Sequence, residues 1–190
     1  MTTFCHIGMG RLGIAVANAM MLLQKGNTHA FFEPLPEARQ KLHDGEFAEM
    51  LMVAEATGND AKWHESVMQN ADAYIITAGV PRKSSTQPKS ELLAANYSIV
   101  TQLVNAIPEP PEGGKVFVAT NPPNELAAEL LLDGVKVTPL RDCTDNLRRQ
   151  VWGSEWAIRN NAMLDAKGYT SYGPAVAIAK EVLLCLEPAR

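Results

Sequence analysis

The sequence is poor in the features that mark membrane, secreted or nucleic-acid-binding proteins. Cysteine is scarce: Cys5, Cys143 and Cys185 are scattered through 190 residues, and no pair has a zinc-ligand spacing. A sparse, odd count points to reduced thiols rather than a disulfide framework, and no metal site is expected. No apolar run approaches the ~20 residues that a membrane-spanning helix needs. Basic charge is not in surplus: 17 Lys and Arg stand against 21 Asp and Glu, a net charge of −4. Nucleic-acid phosphates would therefore meet no basic excess. Histidine is absent from the C-terminal half, since His6, His29, His43 and His64 are the four in the chain. No internal repeat or low-complexity tract appears. Met1 to Cys5 runs straight into an apolar segment without a visible cleavable leader, so a cytoplasmic location is expected.

What is present is an alternation of short apolar runs and helical stretches. Residues 3–7 read as a buried strand ending in glycines. Residues 11–24 place Leu12, Val16, Ala19, Met20 and Leu23 on one helical face, and Lys25-Gly26-Asn27 stops that helix. A second strand at 29–32 closes at Glu33, and Pro34 and Pro36 mark the following turn. Helices are expected at 37–42, 45–56, 90–107, 125–132, 144–160 and 174–186. Strands are expected at 62–64, on the sheet edge, and at 73–77, 116–119 and 135–137. The alternation predicts an α/β chain: a Rossmann-type doubly wound parallel sheet of about six strands with a residual, mostly helical appendage. The expected division is 1–142 for the sheet domain and 143–190 for the helical part packed on it.

The most specific local feature is Gly8-Met9-Gly10-Arg11-Leu12-Gly13, placed after one strand and at the start of a helix. Gly8 permits the tight turn, Gly10 lets backbone approach a pyrophosphate, and Gly13 lets helix pack on strand. The helix N-terminus adds N–H donors and a positive dipole end. Glu33 ends the next strand at a distance suited to holding the hydroxyls of an adenosine ribose. Its charge would repel a ribose phosphate, which favours NAD over NADP.

Four further blocks occur in a telling order. They are Ala73-Tyr74-Ile75-Ile76-Thr77-Ala78-Gly79-Val80-Pro81-Arg82-Lys83, the helix Leu92 to Val100 with Asn96, Asn121-Pro122-Pro123, and Lys167-Gly168-Tyr169-Thr170-Ser171-Tyr172-Gly173. Together they resemble the lactate/malate dehydrogenase family of L-2-hydroxyacid dehydrogenases, in a shortened form. The resemblance implies that Thr77, Ala78, Gly79 and Asn96 line the cofactor site. It places Asn121 near the nicotinamide and the substrate, with Thr170 beside them. Asp145 and Arg148, spaced Asp-x-x-Arg, fall where the family orients its catalytic histidine and clamps the substrate carboxylate. Arg82 stands where malate dehydrogenases read a second carboxylate, and Lys89 lies near the place of a mobile-loop arginine. The implied partners are a dinucleotide and a small keto acid or dicarboxylate.

The departures are as informative. About twenty residues separate Arg148 from Gly168, none of them histidine, and the family's Gly-Glu-His-Gly-like block is missing. Reduction of a 2-keto acid needs a proton donor of near-neutral pKa at the carbonyl oxygen. Pro139-Leu140-Arg141 replaces the glycine-containing turn usual before the Asp-x-x-Arg helix. Three functions stay open on the sequence. One is an NAD(H)-binding relative with weak or lost turnover. The second is an active oxidoreductase that uses water, Glu155 or Lys167 as its acid. The third is an NAD(H)-sensing or scaffolding module. The last helix carries an apolar stripe of Val176, Ala179, Leu183 and Leu186, so a homodimer through it and the helix at 45–56 is expected.

Overall fold

The computed structural model describes residues 1–43, 45–82, 84–140, 149–150, 153–167 and 172–186. Five parallel strands form one sheet: β1 (Thr3–Ile7), β2 (Thr28–Phe32), β3 (Asp60–Trp63), β4 (Ala73–Ile76) and β5 (Lys115–Val118), in the order β3-β2-β1-β4-β5. The chain winds outward from β1 in one direction and then, from β4, in the other. The carboxyl end of β1 therefore lies at the topological switch point, where open α/β sheets bind ligands. In register, Cys5 pairs with Ala30 on one side and Tyr74 on the other.

Strand residues alternate between the two faces. On one face Ile7, Phe32, Tyr74, Ile76 and Val118 pack against Val100 and Leu103 of α4 (Lys89–Ala106) and Leu126 and Leu130 of α5 (Pro123–Leu132). On the other, Phe4, Ile75 and Phe117 pack against Val16 and Met20 of α1 (Arg11–Leu23) and Ile178, Ala179 and Val182 of the last helix. Phe31 joins that layer through Ala17 and Met21 of α1 and Met50 and Ala54 of α3 (Glu46–Thr57). The short α2 (Pro36–His43) follows β2. Helices α6 (Trp156–Lys167) and α7 (Tyr172–Leu186) complete the described chain.

Several expectations are corrected. Residues 135–137 do not form a sixth strand: only Thr138 bridges to Phe117, with its N–H on the Val116 carbonyl at 2.7 Å. Pro139 follows immediately and, lacking an N–H, cannot extend the ladder. The single helix expected at 144–160 is interrupted. Gly153, at φ 57°, opens a 3-10 turn (Gly153–Glu155) before α6 begins, and residues 144–148 lie outside the described residues. Leu23 is exposed, not on the buried face of α1, whose inner side is Val16, Ala17, Met20 and Met21. The buried stripe of α7 runs through Ala175, Ile178, Ala179 and Val182 and serves the chain's own sheet, while Val176 faces outward.

Candidate functional site

The glycine turn sits at the switch point and is stitched to both neighbouring strands. The Gly8 N–H donates to the Phe32 carbonyl at 2.8 Å, and the Thr77 N–H donates to Ile7 O at 2.8 Å. The Thr77 hydroxyl donates to Gly8 O at 2.5 Å. Sterics explain two of the glycines. Gly8 has φ 91°, and a Cβ there would lie 2.3 Å from the Ala78 backbone nitrogen. A Cβ on Gly13 would lie 2.0 Å from Gly8 O. Gly10 differs: it is exposed, has φ −71°, and its Cβ would meet no protein atom within 4 Å. Nothing among the described residues requires glycine there. The open space outside is what a side chain would fill, and a pyrophosphate approaching the backbone needs that space.

Helix α1 starts at this turn without a side-chain cap and without an acidic residue in its first turn. The first N–H groups of a helix have no intrahelical partner, and no acid of the helix's own first turn meets the positive dipole end. Met9 is buried in the core next to Phe31, and Leu12 packs partly into the layer beneath α1. Arg11 is exposed at the rim.

Glu33 closes the cofactor side. It is only 6% exposed, and its two oxygens accept the Met9 N–H at 2.7 Å and the Leu35 N–H at 3.0 Å. The carboxylate thus stands against the glycine turn rather than in solvent. Arg39 of α2, unnoticed in the sequence, braces this corner: its Nε donates to Glu33 O at 2.5 Å, and its guanidinium lies 5.1 Å above the Phe32 ring.

The β4–β5 side is held by two buried polar residues. The Asn96 side-chain oxygen accepts the Val80 N–H at 2.6 Å, and its nitrogen donates to Val80 O at 3.2 Å and Asn121 O at 2.7 Å. Asn96 therefore ties the loop after β4 to the turn after β5, through backbone contacts alone. Thr120, also missed in the sequence, donates its hydroxyl to Ala78 O at 2.7 Å. Gly79 is pinched between them, since a Cβ would lie 2.5 Å from Thr120 Cγ2 and 2.7 Å from Asn96 Oδ1. Asn121 itself is exposed and precedes a cis bond to Pro122.

Of the remaining sequence candidates, Arg82 and Lys89 are described, and both are engaged within the chain. Arg82 folds back on its own loop and donates to Ser85 O at 2.6 Å and Gln87 O at 3.1 Å. Lys89 is the first residue of α4 and pairs with Glu125 at 3.2 Å, both exposed or half-buried. Asp145, Arg148 and Thr170 lie outside the described residues. His6 and His29 are buried beneath α1, 3.0 Å apart from Nε2 to Nδ1, with His29 stacked on Phe4 and His6 tilted against Phe31. Burial lowers the pKa of both; His6 is lowered further by its neighbour, and His29 falls to about 4. Among the described residues no group of three His, Cys, Asp or Glu is placed to hold a metal ion. No described helix is long and apolar enough to cross a membrane.

A parallel sheet in this order, with a glycine turn at the switch point and an acid closing the second strand, defines a dinucleotide-binding domain of the Rossmann type. Residues 6–141 match the lactate/malate dehydrogenase NAD-binding domain family, and the chain belongs to that family. Its cofactor is accordingly NAD, and the space left open at Gly10 beside the buried Glu33 fits that group.

Malate dehydrogenase from Pyrobaculum islandicum is 31% identical over 120 residues, covering 61% of this chain and 37% of that protein. The mitochondrial malate dehydrogenase of Schizosaccharomyces pombe is 43% identical over 65 residues, covering 34% of this chain and 19% of that protein. The matched stretch thus spans well under half the length of these relatives. Among solved structures, a minor L-lactate dehydrogenase from Enterococcus mundtii superposes with a TM-score of 0.70 at 18% identity, covering 94% of this chain and 76% of that one. Malate dehydrogenase from Archaeoglobus fulgidus in complex with NADH gives 0.68 at 17% identity, covering 95% and 76%. At such identities these structures speak to the fold alone.

Proposed function

We propose that this chain binds NAD(H) in preference to NADP(H) and that its hydride transfer to 2-keto acids is weak or lost. One observation carries the reading: the cofactor end is sterically complete, whereas His6 and His29 are locked beneath α1 and His64 lies past β3 at the edge of the sheet. His6 and His29 bond to each other under a closed aromatic layer. A bound nicotinamide would supply the hydride, but the carbonyl oxygen also needs a proton from a group of near-neutral pKa. The alternative acid Glu155 is exposed and committed to Arg159 at 2.8 Å, which weighs against an active oxidoreductase built on it. Any residual turnover would favour a dicarboxylate through Arg82.

The division into a cofactor part, 1–142, and a helical part, 143–190, belongs to the same proposal, as does a cytoplasmic location. So does a homodimer, and α3 supports it best: Leu51 and Met52 point outward there, 41% and 70% exposed. Calorimetric titration with NAD⁺ and NADP⁺, followed by steady-state rates with pyruvate and oxaloacetate, tests the central claim. Tight NAD⁺ binding with rates at least ~10²-fold below those of ordinary dehydrogenases is expected, the usual worth of a missing acid–base group. Ordinary rates would overturn it. Sedimentation equilibrium at micromolar concentration tests the dimer, and a clean monomer would remove it.

A further inference from the structure

The loop after β4 is fastened to a helix eighty residues away. Ser85 donates its N–H to one carboxylate oxygen of Asp165 at 3.1 Å and its hydroxyl to the other at 2.8 Å. Two donors from one residue, aimed at the two oxygens of one carboxyl group, form a bidentate carboxylate receptor. Arg82 builds the frame behind it. Its guanidinium holds the Ser85 and Gln87 carbonyls, so it fixes the turn that presents the Ser85 donors. Its Nε is buried and has no acceptor among the described residues, so the turn carries a positive charge that its own contacts do not neutralise.

Asp165 gains nothing from its helix by being there. It lies in the last turn of α6, the end of a helix where the dipole disfavours an anion. It is exposed, and water could solvate it freely. Its carboxyl is nevertheless held below the ordinary range, first by the Ser85 hydroxyl, then by the Ser85 N–H, with the Arg82 charge adding to both. The partner of Asp165 is the loop, not its own helix.

We propose that Asp165 is the internal occupant of the turn that Arg82 and Ser85–Gln87 form, so that a small free carboxylate enters only by displacing Asp165. The inference rests on the reading of this end of the site as the one that meets an acid substrate. It adds that the site is capped from within by the chain's own side chain. Displacement would release α6 from the loop, so entry of a carboxylate and movement of that helix would be one event.

The probe is malonate, titrated into the full chain saturated with NAD⁺. Asp165→Ala removes an exposed side chain and should leave the fold and NAD⁺ affinity unchanged. It should tighten malonate binding about tenfold, the scale of one or two charge-assisted hydrogen bonds no longer competing. Amide exchange at Ser85 should quicken in the same variant without any ligand, and Ser85→Ala added to it should abolish the gain. If both proteins bind malonate equally, the internal cap is overturned while a carboxylate site remains. If neither binds malonate although both bind NAD⁺, the cap and the acid-substrate reading fall together.

Discussion

The two ends of the site are built by different physics. At the β1–β2 end the geometry comes from close backbone approach around the glycine turn and from one carboxylate: Gly8 against Ala78, Gly13 against Gly8, and Glu33 on the Met9 N–H. At the β4–β5 end it comes from side chains on distant segments, with Asn96, Thr120 and Arg82 holding loop carbonyls and Asp165 reaching in from α6. The first kind of site is rigid because a missing side chain cannot rearrange. The second is adjustable, since its outer contacts, Ser85 to Asp165 and Lys89 to Glu125, are exposed to water. A rigid cofactor end beside an adjustable far end supports the proposal that binding outlives turnover.

The sharpest test sets one glycine against another. Gly13→Ala drives a Cβ to 2.0 Å from Gly8 O and 2.6 Å from the Thr77 hydroxyl, so α1 must lift off the strand. A loss on the order of 3–5 kcal/mol is expected, near the limit for single substitutions, and thermal or denaturant unfolding reads it. Gly10→Ala should do the reverse. With φ −71° and open space around the new methyl, the melting temperature should hold. NAD⁺ affinity should nevertheless fall at least ~10-fold, as the pyrophosphate loses its approach to the backbone. Unchanged affinity in Gly10→Ala would place the cofactor elsewhere.

The buried histidine pair predicts an acid-sensitive sheet. Both pKa values are lowered in the fold, that of His29 to about 4, whereas the unfolded chain takes up protons near 6.5. The unfolded state therefore binds more protons below about pH 6.5, so stability is full above that value and lost as pH falls toward 4. His29 alone implies a loss of about 2 kcal/mol by about pH 5, and His6 adds in the same direction. Denaturant unfolding from pH 7.5 to 5 should show this slope, and His29→Phe, continuing the stack between Phe4 and Phe31, should flatten it. A pH-independent midpoint would show that the pair admits a proton in the fold.

Glu33→Gln should have a smaller effect. The amide oxygen can still accept one backbone N–H, so the fold persists, but the charge is gone. NAD⁺ binding should weaken about tenfold, the scale of one hydrogen bond to a charged group, while NADP⁺ should lose its repulsion. Calorimetry with both dinucleotides measures the ratio, and an unaltered ratio would remove Glu33 from the ribose.

The same division explains what was legible in the sequence. The glycine turn, Glu33 and the strand alternation could be read because each depends on neighbours within a few residues or on a repeating period. Val135 to Val137 looked like a strand by composition, yet pairing depends on a partner's register and on Pro139, and only Thr138 makes a bridge. The stripe on α7 was misread only at its start: Ala179, Leu183 and Leu186 pack on the layer as expected, but Ala175 rather than Val176 faces it. Asp165 could not have been found, since its role exists only where α6 meets a loop eighty residues earlier. Arg39 and Thr120 carry no motif and act on carbonyls, which no residue pattern announces.

Lys89 gives the smallest expected effect and the most direct check on the substrate end. Near the place of a mobile-loop arginine, it should matter to an anionic ligand if it is free to reach one. In the fold it begins α4, where a cation faces the positive end of the helix dipole, and its ammonium rests 3.2 Å from Glu125 in the first turn of α5. The side chains are 65% and 42% exposed, so solvent screens the pair. The unfavourable dipole term and the favourable pair nearly offset each other. Lys89→Ala should therefore shift stability by less than ~0.5 kcal/mol, and a double-mutant cycle with Glu125→Ala should give a coupling below ~1 kcal/mol that fades with salt. Malonate affinity should not change, because a lysine held by Glu125 at a helix start has no part in the Arg82–Ser85 turn. A severalfold loss of malonate binding in Lys89→Ala would show that the pair with Glu125 opens for the ligand, and the carboxylate site would then extend from the loop onto α4.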